Sequence, residues 1–178
     1  MNITVYCGSS SGNKDIYIEK AKELGKEIGL RSDRLIYGGS KTGLMGAIAD
    51  AVLDNGGEVT GIVPDVPLIQ SRNHPRLTEM IFTKTMAERK TLMIEKGEAF
   101  IAMPGGIGTI DEITEILSLS SLNIVKAPVV FYDVNHYYQD IKELLDKVVD
   151  NGFGKKEFFD IALYSDDPEE ILRYIHGE

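Results

Sequence analysis

The sequence predicts an α/β protein: a single Rossmann-like, doubly wound parallel sheet with helices on both faces. Three observations carry that reading. Short β-branched apolar runs alternate with longer stretches of helical period along the whole chain, and this rhythm gives parallel strands joined by right-handed crossovers. Several of the runs end in glycine-rich turns, Gly8-Ser-Ser-Ser-Gly12, Gly38-Gly39-Ser40 and Pro104-Gly-Gly-Ile-Gly-Thr109, where a strand must turn sharply into a helix. The length, 178 residues, suits one domain with its own core. Residues 1–178 therefore read as one domain, without repeat, linker or low-complexity tract.

The elements follow in order. Ile3 to Cys7 is the first strand, and a helix from about Asn13 turns Ile16, Ala21, Leu24 and Ile28 inward. Leu35 to Tyr37 is the second strand. The helix opening at Gly43 stops at Asn55-Gly56-Gly57. Val59 to Val63 makes the third strand, and Pro64 to Pro75, with three prolines, reads as irregular and mobile. Met80 to Phe82 is the fourth strand, with a helix over Met86 to Lys96. Ala99 to Met103 is the fifth, running through the Pro104 turn into another helix. Pro128 to Tyr132, with a helix over Tyr138 to Val149, and Ile161 to Tyr164, with a helix over Pro168 to Ile175, complete the series.

Composition narrows the partners. Nineteen basic residues against 28 acidic ones leave a net charge of −9. That excludes a nucleic-acid polymer, which needs a basic face, but not a small phosphorylated ligand, which needs only a cation or two. Cys7 is the sole cysteine, so no intrachain disulfide forms, and three scattered histidines give no zinc cluster. No apolar stretch is long enough for a bilayer, and the first residues lack a basic leader. A cytoplasmic protein without membrane or metal is expected.

The chemistry concentrates at Pro104 to Thr109. Its glycines allow a ligand close to the backbone, and the following helix offers unpaired N–H groups and a positive dipole end to an anion. The spacing is neither a Walker loop nor Gly-x-Gly-x-x-Gly, so a nicotinamide cofactor is disfavoured. Thr109-Ile-Asp-Glu112 has two readings. As a capping box, Glu112 bonds back to the helix start. As a functional group, it projects from the first turn toward a phosphorylated sugar, ionised because the dipole and a nearby arginine lower its pKa. Thr85-Met-Ala-Glu88 is a second box, followed by Arg89 and Lys90. Arg89 lies near a helix start just past a strand end, so it reaches the same edge and can grip phosphate bidentately. Gly39, Gly43 and Gly46 serve packing or a ligand equally well. His74 and His136 read as surface residues, and Tyr137 and Tyr138 as core and rim packing.

These residues resemble a known family. Pro104-Gly-Gly-Ile-Gly-Thr-Ile-Asp-Glu112 is similar to the PGGxGTxxE signature of the LOG (Lonely Guy) family, the cytokinin riboside 5′-monophosphate phosphoribohydrolases. Met86-Ala-Glu-Arg-Lys90 resembles its MHxRK motif. The likeness continues at Cys7 to Ser10, at Gly43 to Gly46, and from Tyr137-Tyr138 to Asn151-Gly152-Phe153. The resemblance implies a cofactor-free homodimer that splits a nucleoside 5′-monophosphate into free base and ribose 5-phosphate. It implies Arg89 and Glu112 as the catalytic pair. Gly105, Gly106, Gly108 and Thr109 then form the phosphate loop, with Lys90 the adjoining cation. Met86, Ser9, Gly39 and Glu115 complete the substrate-binding candidates, and Asp111 and Glu115 are the carboxyls nearest in sequence to act as an acid. Three departures stand out: Ala87 replaces the motif histidine, Ser40 the third glycine of a GGG turn, and Leu119-Ser-Ser-Leu-Asn123 a Trp-x-Gln-Leu-Gly run. They fall on the base side, which leaves base preference open. The rival readings are a non-catalytic nucleotide-binding or sensor protein on the same fold, and transfer of the ribosyl phosphate to an acceptor other than water.

Overall fold

A computed structural model describes residues 1–178. Its strands are β1 (Asn2–Tyr6), β2 (Arg34–Tyr37), β3 (Glu58–Pro64), β4 (Glu79–Thr83), β5 (Ala99–Ala102), β6 (Val129–Tyr132) and β7 (Ala162–Ser165). They form one sheet in the order β4-β3-β2-β1-β5-β6-β7, with every neighbouring pair parallel. The helices are α1 (Asp15–Leu30), α2 (Gly43–Asp54), α3 (Pro67–Gln70), α4 (Met86–Lys96), α5 (Ile107–Ser121), α6 (Gln139–Asp150) and α7 (Pro168–His176). No helix is long and apolar enough to cross a membrane.

The period of two along each strand divides the core between the two faces. Along β1 and the residue after it, Ile3, Val5 and Cys7 face one cluster and Tyr6 the other; along β5 and the residue after it, Ala99, Ile101 and Met103 oppose Phe100 and Ala102. The first cluster is closed by α1, α2 and α7 through Leu24, Ile48 and Ile171. The second is closed by Met93 of α4 and by Ile113, Ile116 and Leu117 of α5. Each such side chain taken fully out of water contributes about 1.5–3 kcal/mol. Near the start of α1, which begins at Asp15 and not Asn13, Tyr17 is buried and Ile16 packs half-buried against the same cluster.

Two expectations need correction. The Pro64 to Pro75 segment is not wholly irregular: Pro67 opens the single helical turn of α3, its fixed φ suiting the first helical position. Beyond it the chain is tied back to the sheet. Ser40 and Asn73 form an antiparallel bridge, Lys41 N–H donates to Arg72 O at 2.8 Å, and His74 N–H donates to Gly39 O at 2.9 Å. His74 is not a surface residue; it is 4% exposed. Its Nδ1 accepts the Arg76 N–H at 3.2 Å, so Nε2 carries the proton and donates to Asp50 Oδ1 at 3.2 Å. His136 does lie at the surface.

Candidate active site

The strand order reverses between β1 and β5, because the chain builds outward from β1 through β4 and then returns to β1's other side. Crossovers on the two sides diverge there and leave a crevice beyond the carboxyl ends of the strands. A cleft of about 390 Å³ occupies that edge, within the range of small-ligand sites. Cys7 and Ser9 enter it after β1, Gly38 and Ser40 after β2, and Leu68, Ile69 and Arg72 after β3. Met86 and Arg89 enter after β4, and Gly106, Gly108, Thr109 and Glu112 after β5.

At its floor Arg89 and Glu112 form an ion pair. Arg89 Nη1 donates to Glu112 Oε1 at 2.6 Å, and Arg89 Nε donates to Ile62 O at 3.1 Å. The two side chains are 7% and 9% exposed. Arg89 reaches so deep because position 38 is a glycine: a Cβ there would collide with Arg89 Nη2. Glu112 is inside because of where α5 begins. Its N-cap is Gly106 and its first residue Ile107, which puts Glu112 in the second turn. There it joins the buried stripe Thr109, Glu112, Ile113, Ile116 and Leu117, the i, i+3, i+4 face that packs on the sheet.

This geometry overturns the capping-box expectation for Glu112 and the expectation of a lowered pKa, while the side chain does line the cleft. It is not the partner of a capping box, since Thr109 is the third helical residue and not the cap. Its carboxyl is not held low: burial pushes it above the ordinary carboxylate value, against the opposing pull of the Arg89 charge and hydrogen bond. The cost of taking the charge out of water exceeds what a single paired guanidinium returns.

The anion loop is braced from below. Gly8 N–H donates to Pro104 O at 3.1 Å, Tyr138 OH donates to Met103 O at 2.6 Å, and Tyr137 OH donates to Gly105 O. Tyr138 is core and Tyr137 rim, as their sequence positions suggest, but both hydroxyls also fix the loop. A Cβ on Gly105 would strike the Thr109 side chain, so this glycine permits the tight turn. The N–H groups opening α5 have no helical partners, and they border the cleft beside Gly106, Gly108 and Thr109.

The remaining candidates lie apart from the cleft lining. Lys90 Nζ sits 2.8 Å from Asp111 Oδ2 and 2.9 Å from Glu115 Oε2, joining α4 to α5 outside the lining. Burial works against its charge, but the bonds to Asp111 and Glu115 outweigh it and hold its pKa up. Gly39, at φ +78°, faces Val63 and not the cleft. Gly105 lines an adjoining hollow with Gly8, Ser9 and Tyr137. Sequence reasoning missed Leu68, Ile69 and Arg72. Only Arg72 carried a signal, as the one basic residue between Pro64 and Pro75.

Comparison with known proteins places the chain in a family. A probable cytokinin riboside 5′-monophosphate phosphoribohydrolase of Oryza sativa subsp. japonica is 36% identical over 170 residues, 96% of this chain and 70% of the relative. The cytokinin riboside 5′-monophosphate phosphoribohydrolase of Rhodococcoides fascians is 39% identical over 153 residues, 85% of this chain and 77% of the relative. LOG2 of Arabidopsis thaliana, which bears the same enzyme name, is 41% identical over 173 residues, 97% and 81%. The chain belongs to the LOG family. A family model described as "Possible lysine decarboxylase" also matches residues 45–175. A pyridoxal cofactor needs a lysine to hold it, yet no lysine lines the cleft and Lys90 is held outside it, so the residues do not fit that group. Among solved structures, the molybdenum cofactor carrier protein of Chlamydomonas reinhardtii superposes with a TM-score of 0.75 at 19% identity, covering 99% of this chain and 95% of that one. The molybdenum cofactor binding protein of Rippkaea orientalis gives 0.74 at 19%, with the same coverage. Likeness at that identity shows the shared fold.

Proposed function

We propose that this LOG-family chain hydrolyses the N-glycosidic bond of a nucleoside 5′-monophosphate, a cytokinin riboside 5′-monophosphate or an AMP-like nucleotide, to free base and ribose 5-phosphate. The buried Arg89–Glu112 pair at the floor of the cleft, beside the glycine loop that opens α5, carries the reading. A protein that only bound phosphate would gain nothing from a carboxylate in that position, whereas a reaction developing positive charge on ribose would. The relatives at 36%, 39% and 41% identity support it by their names.

The chemistry follows from the bond. Breaking the base–ribose link passes through an oxocarbenium-like state. The Glu112 carboxylate stabilises that cation and orients or deprotonates the attacking water, an effect of about 10²–10⁴ in rate. Water's hydroxyl ends on C1′, the electron pair of the broken bond goes to the base nitrogen, and the proton from water ends on the base. Arg89 holds the carboxylate in place and offers its remaining donors to ribose hydroxyls or phosphate. Gly106, Gly108 and Thr109 seat the phosphate while Gly105 lets the loop turn tightly against Thr109, and binding energy gained there is converted into correct placement at C1′. Asp111 and Glu115 are occupied by Lys90, so neither serves as the acid. Met86, Ser9 and the exposed Leu68 and Ile107 line the same cleft. With Ala87, Ser40 and Leu119 to Asn123 differing from the family pattern, base preference is the property most altered.

We read residues 1–178 as one domain working in the cytoplasm, without cofactor, membrane or nucleic-acid polymer, and as a homodimer. Exposed apolar side chains on neighbouring elements, Phe82, Met86 and Ile107, support a second copy covering that side, and light scattering giving twice the chain mass tests it.

The deciding experiment is product analysis. The protein is incubated with nucleoside monophosphates, including AMP and N6-isopentenyl-AMP, and released bases are separated by liquid chromatography. Release by the native protein but not by Glu112→Gln or Arg89→Lys is expected. Tight binding of a nucleotide with no base released would overturn hydrolysis and leave a non-catalytic nucleotide-binding protein. Phosphoribosylated adducts in place of ribose 5-phosphate would mean transfer to another acceptor.

A further inference from the structure

The two cations of the family motif already have their charge offset by carboxylates before any substrate arrives. Arg89 spends two donors on Ile62 O and Glu112, and the Glu112 carboxylate faces its charge. Lys90 is paired with Asp111 and Glu115 outside the cleft. A phosphate dianion therefore needs another positive group. The cleft has one: Arg72, which lines it from the segment after α3.

Arg72 differs from its neighbours. Arg31, Arg34 and Arg76 are each paired with a carboxylate, while the Arg72 guanidinium has no carboxylate or hydrogen-bond acceptor in the protein. Its backbone, in contrast, is fixed. Arg72 N–H donates to Ile69 O at 3.0 Å and Arg72 O accepts the Lys41 N–H at 2.8 Å. The next residue bridges to Ser40. Thr42 Oγ1 in turn donates to Ser9 O at 3.0 Å, so the Arg72 segment, the Ser40 turn and the Ser9 loop form one connected rim. Ser9 and Gly106 both line the cleft that Arg72 faces. Two arginines and one glutamate are the fixed charges of that lining, so Arg72 gives it net positive charge in a chain of net charge −9.

We propose that Arg72 binds the 5′-phosphate of the substrate and makes the site select nucleoside monophosphates over nucleosides. A guanidinium on a fixed stem can meet two phosphate oxygens at once, while the N–H groups of the α5 start meet the others. This assignment rests on the nucleotide reading above and adds to it a residue outside the family motifs.

The test separates the phosphate from the rest of the ligand. Dissociation constants of AMP, ribose 5-phosphate and adenosine are measured by calorimetry for the native protein, Arg72→Ala and Arg72→Lys, with kcat and KM for whichever nucleotide is cleaved. Arg72→Ala should weaken AMP and ribose 5-phosphate at least tenfold, about 1.4 kcal/mol, and leave adenosine within twofold. KM should rise with kcat within threefold, and Arg72→Lys should recover part of the loss. An exposed side chain with no partners leaves the fold intact, so an unchanged Tm is the control. Equal losses for AMP and adenosine would place Arg72 on the base, and no loss would remove it from the site; either result overturns the proposal while the native protein's base release leaves hydrolysis standing. Native protein that binds AMP no better than adenosine, or binds neither, overturns the phosphate subsite and the nucleotide reading together.

Discussion

Thr85-Met-Ala-Glu88 and Thr109-Ile-Asp-Glu112 share the Thr-x-x-Glu spacing of a capping box, and the structure uses them for opposite purposes. In the first, Thr85 is the N-cap of α4 and its hydroxyl accepts the Glu88 N–H at 3.1 Å. Glu88 reaches back to the Lys84 N–H at 2.7 Å, one residue earlier than the standard box. In the second, the helix has already begun at Ile107, so its threonine packs against Gly105 and its glutamate turns inward to Arg89. The spacing is identical; the start of the helix decides which face the glutamate takes. Glycines at 105 and 106 let the chain enter α5 before the threonine, and a cap becomes a buried carboxylate.

The largest expected effect breaks this comparison directly. Glu112→Gln keeps the shape and one acceptor for Arg89 but not the charge, and should lower kcat by about 10²–10⁴. Glu88→Gln, on the outer face of α4, should leave kcat within twofold. Equal losses would mean that both glutamates serve the fold alone.

A pH series sharpens the same contrast. Burial holds the Glu112 carboxyl above its ordinary value, so the folded state binds its proton more tightly than the unfolded chain does. The linked stability is present in full below the unfolded value and is lost as pH rises through the raised folded value. Glu112→Gln cannot ionise, so its Tm relative to the native protein should climb as pH rises through that window. A Tm difference that stays flat across it would mean that the carboxyl is not raised. In the native enzyme, the acid limb of kcat should correspondingly lie above the ordinary carboxylate range.

Much of this was legible in the sequence, for a physical reason. Strand–helix alternation is a local property of side-chain period, so β3 and the Met86 to Lys96 helix could be placed from their residues alone. The glycine loop and Arg89 were legible because their chemistry is local too. What was hidden depends on distant partners. Burial of His74 turns on Asp50, 24 residues away, and bracing of Gly105 turns on Tyr137, 32 residues away. The side on which Glu112 lies depended on the helix start, and boundaries are the least determined part of any pattern reading. The raised carboxyl followed from that placement and could not be read before it.

The smallest expected effects concern what each helix start is built for. The start of α4 is built to hold: Thr85→Ala removes the cap and should cost about 1 kcal/mol, a Tm loss of roughly 2–4 °C for a chain of this size, with KM little changed. The start of α5 is built to be open. Gly108 is its second residue, and an added Cβ there would meet nothing within 4 Å. Alanine at that position should therefore stabilise the protein by about 0.5–1 kcal/mol through its better helix propensity. The same methyl would stand on the wall of the cleft, between a phosphate and the N–H groups that bind it, so KM for a nucleotide should rise as Tm does. Thermal melts and steady-state kinetics on Thr85→Ala and Gly108→Ala check the pair. A more stable Gly108→Ala with native KM would show that this glycine serves neither approach nor binding. A gain in stability matched by a loss of affinity would mean that α5 keeps a weak start because the ligand needs the space.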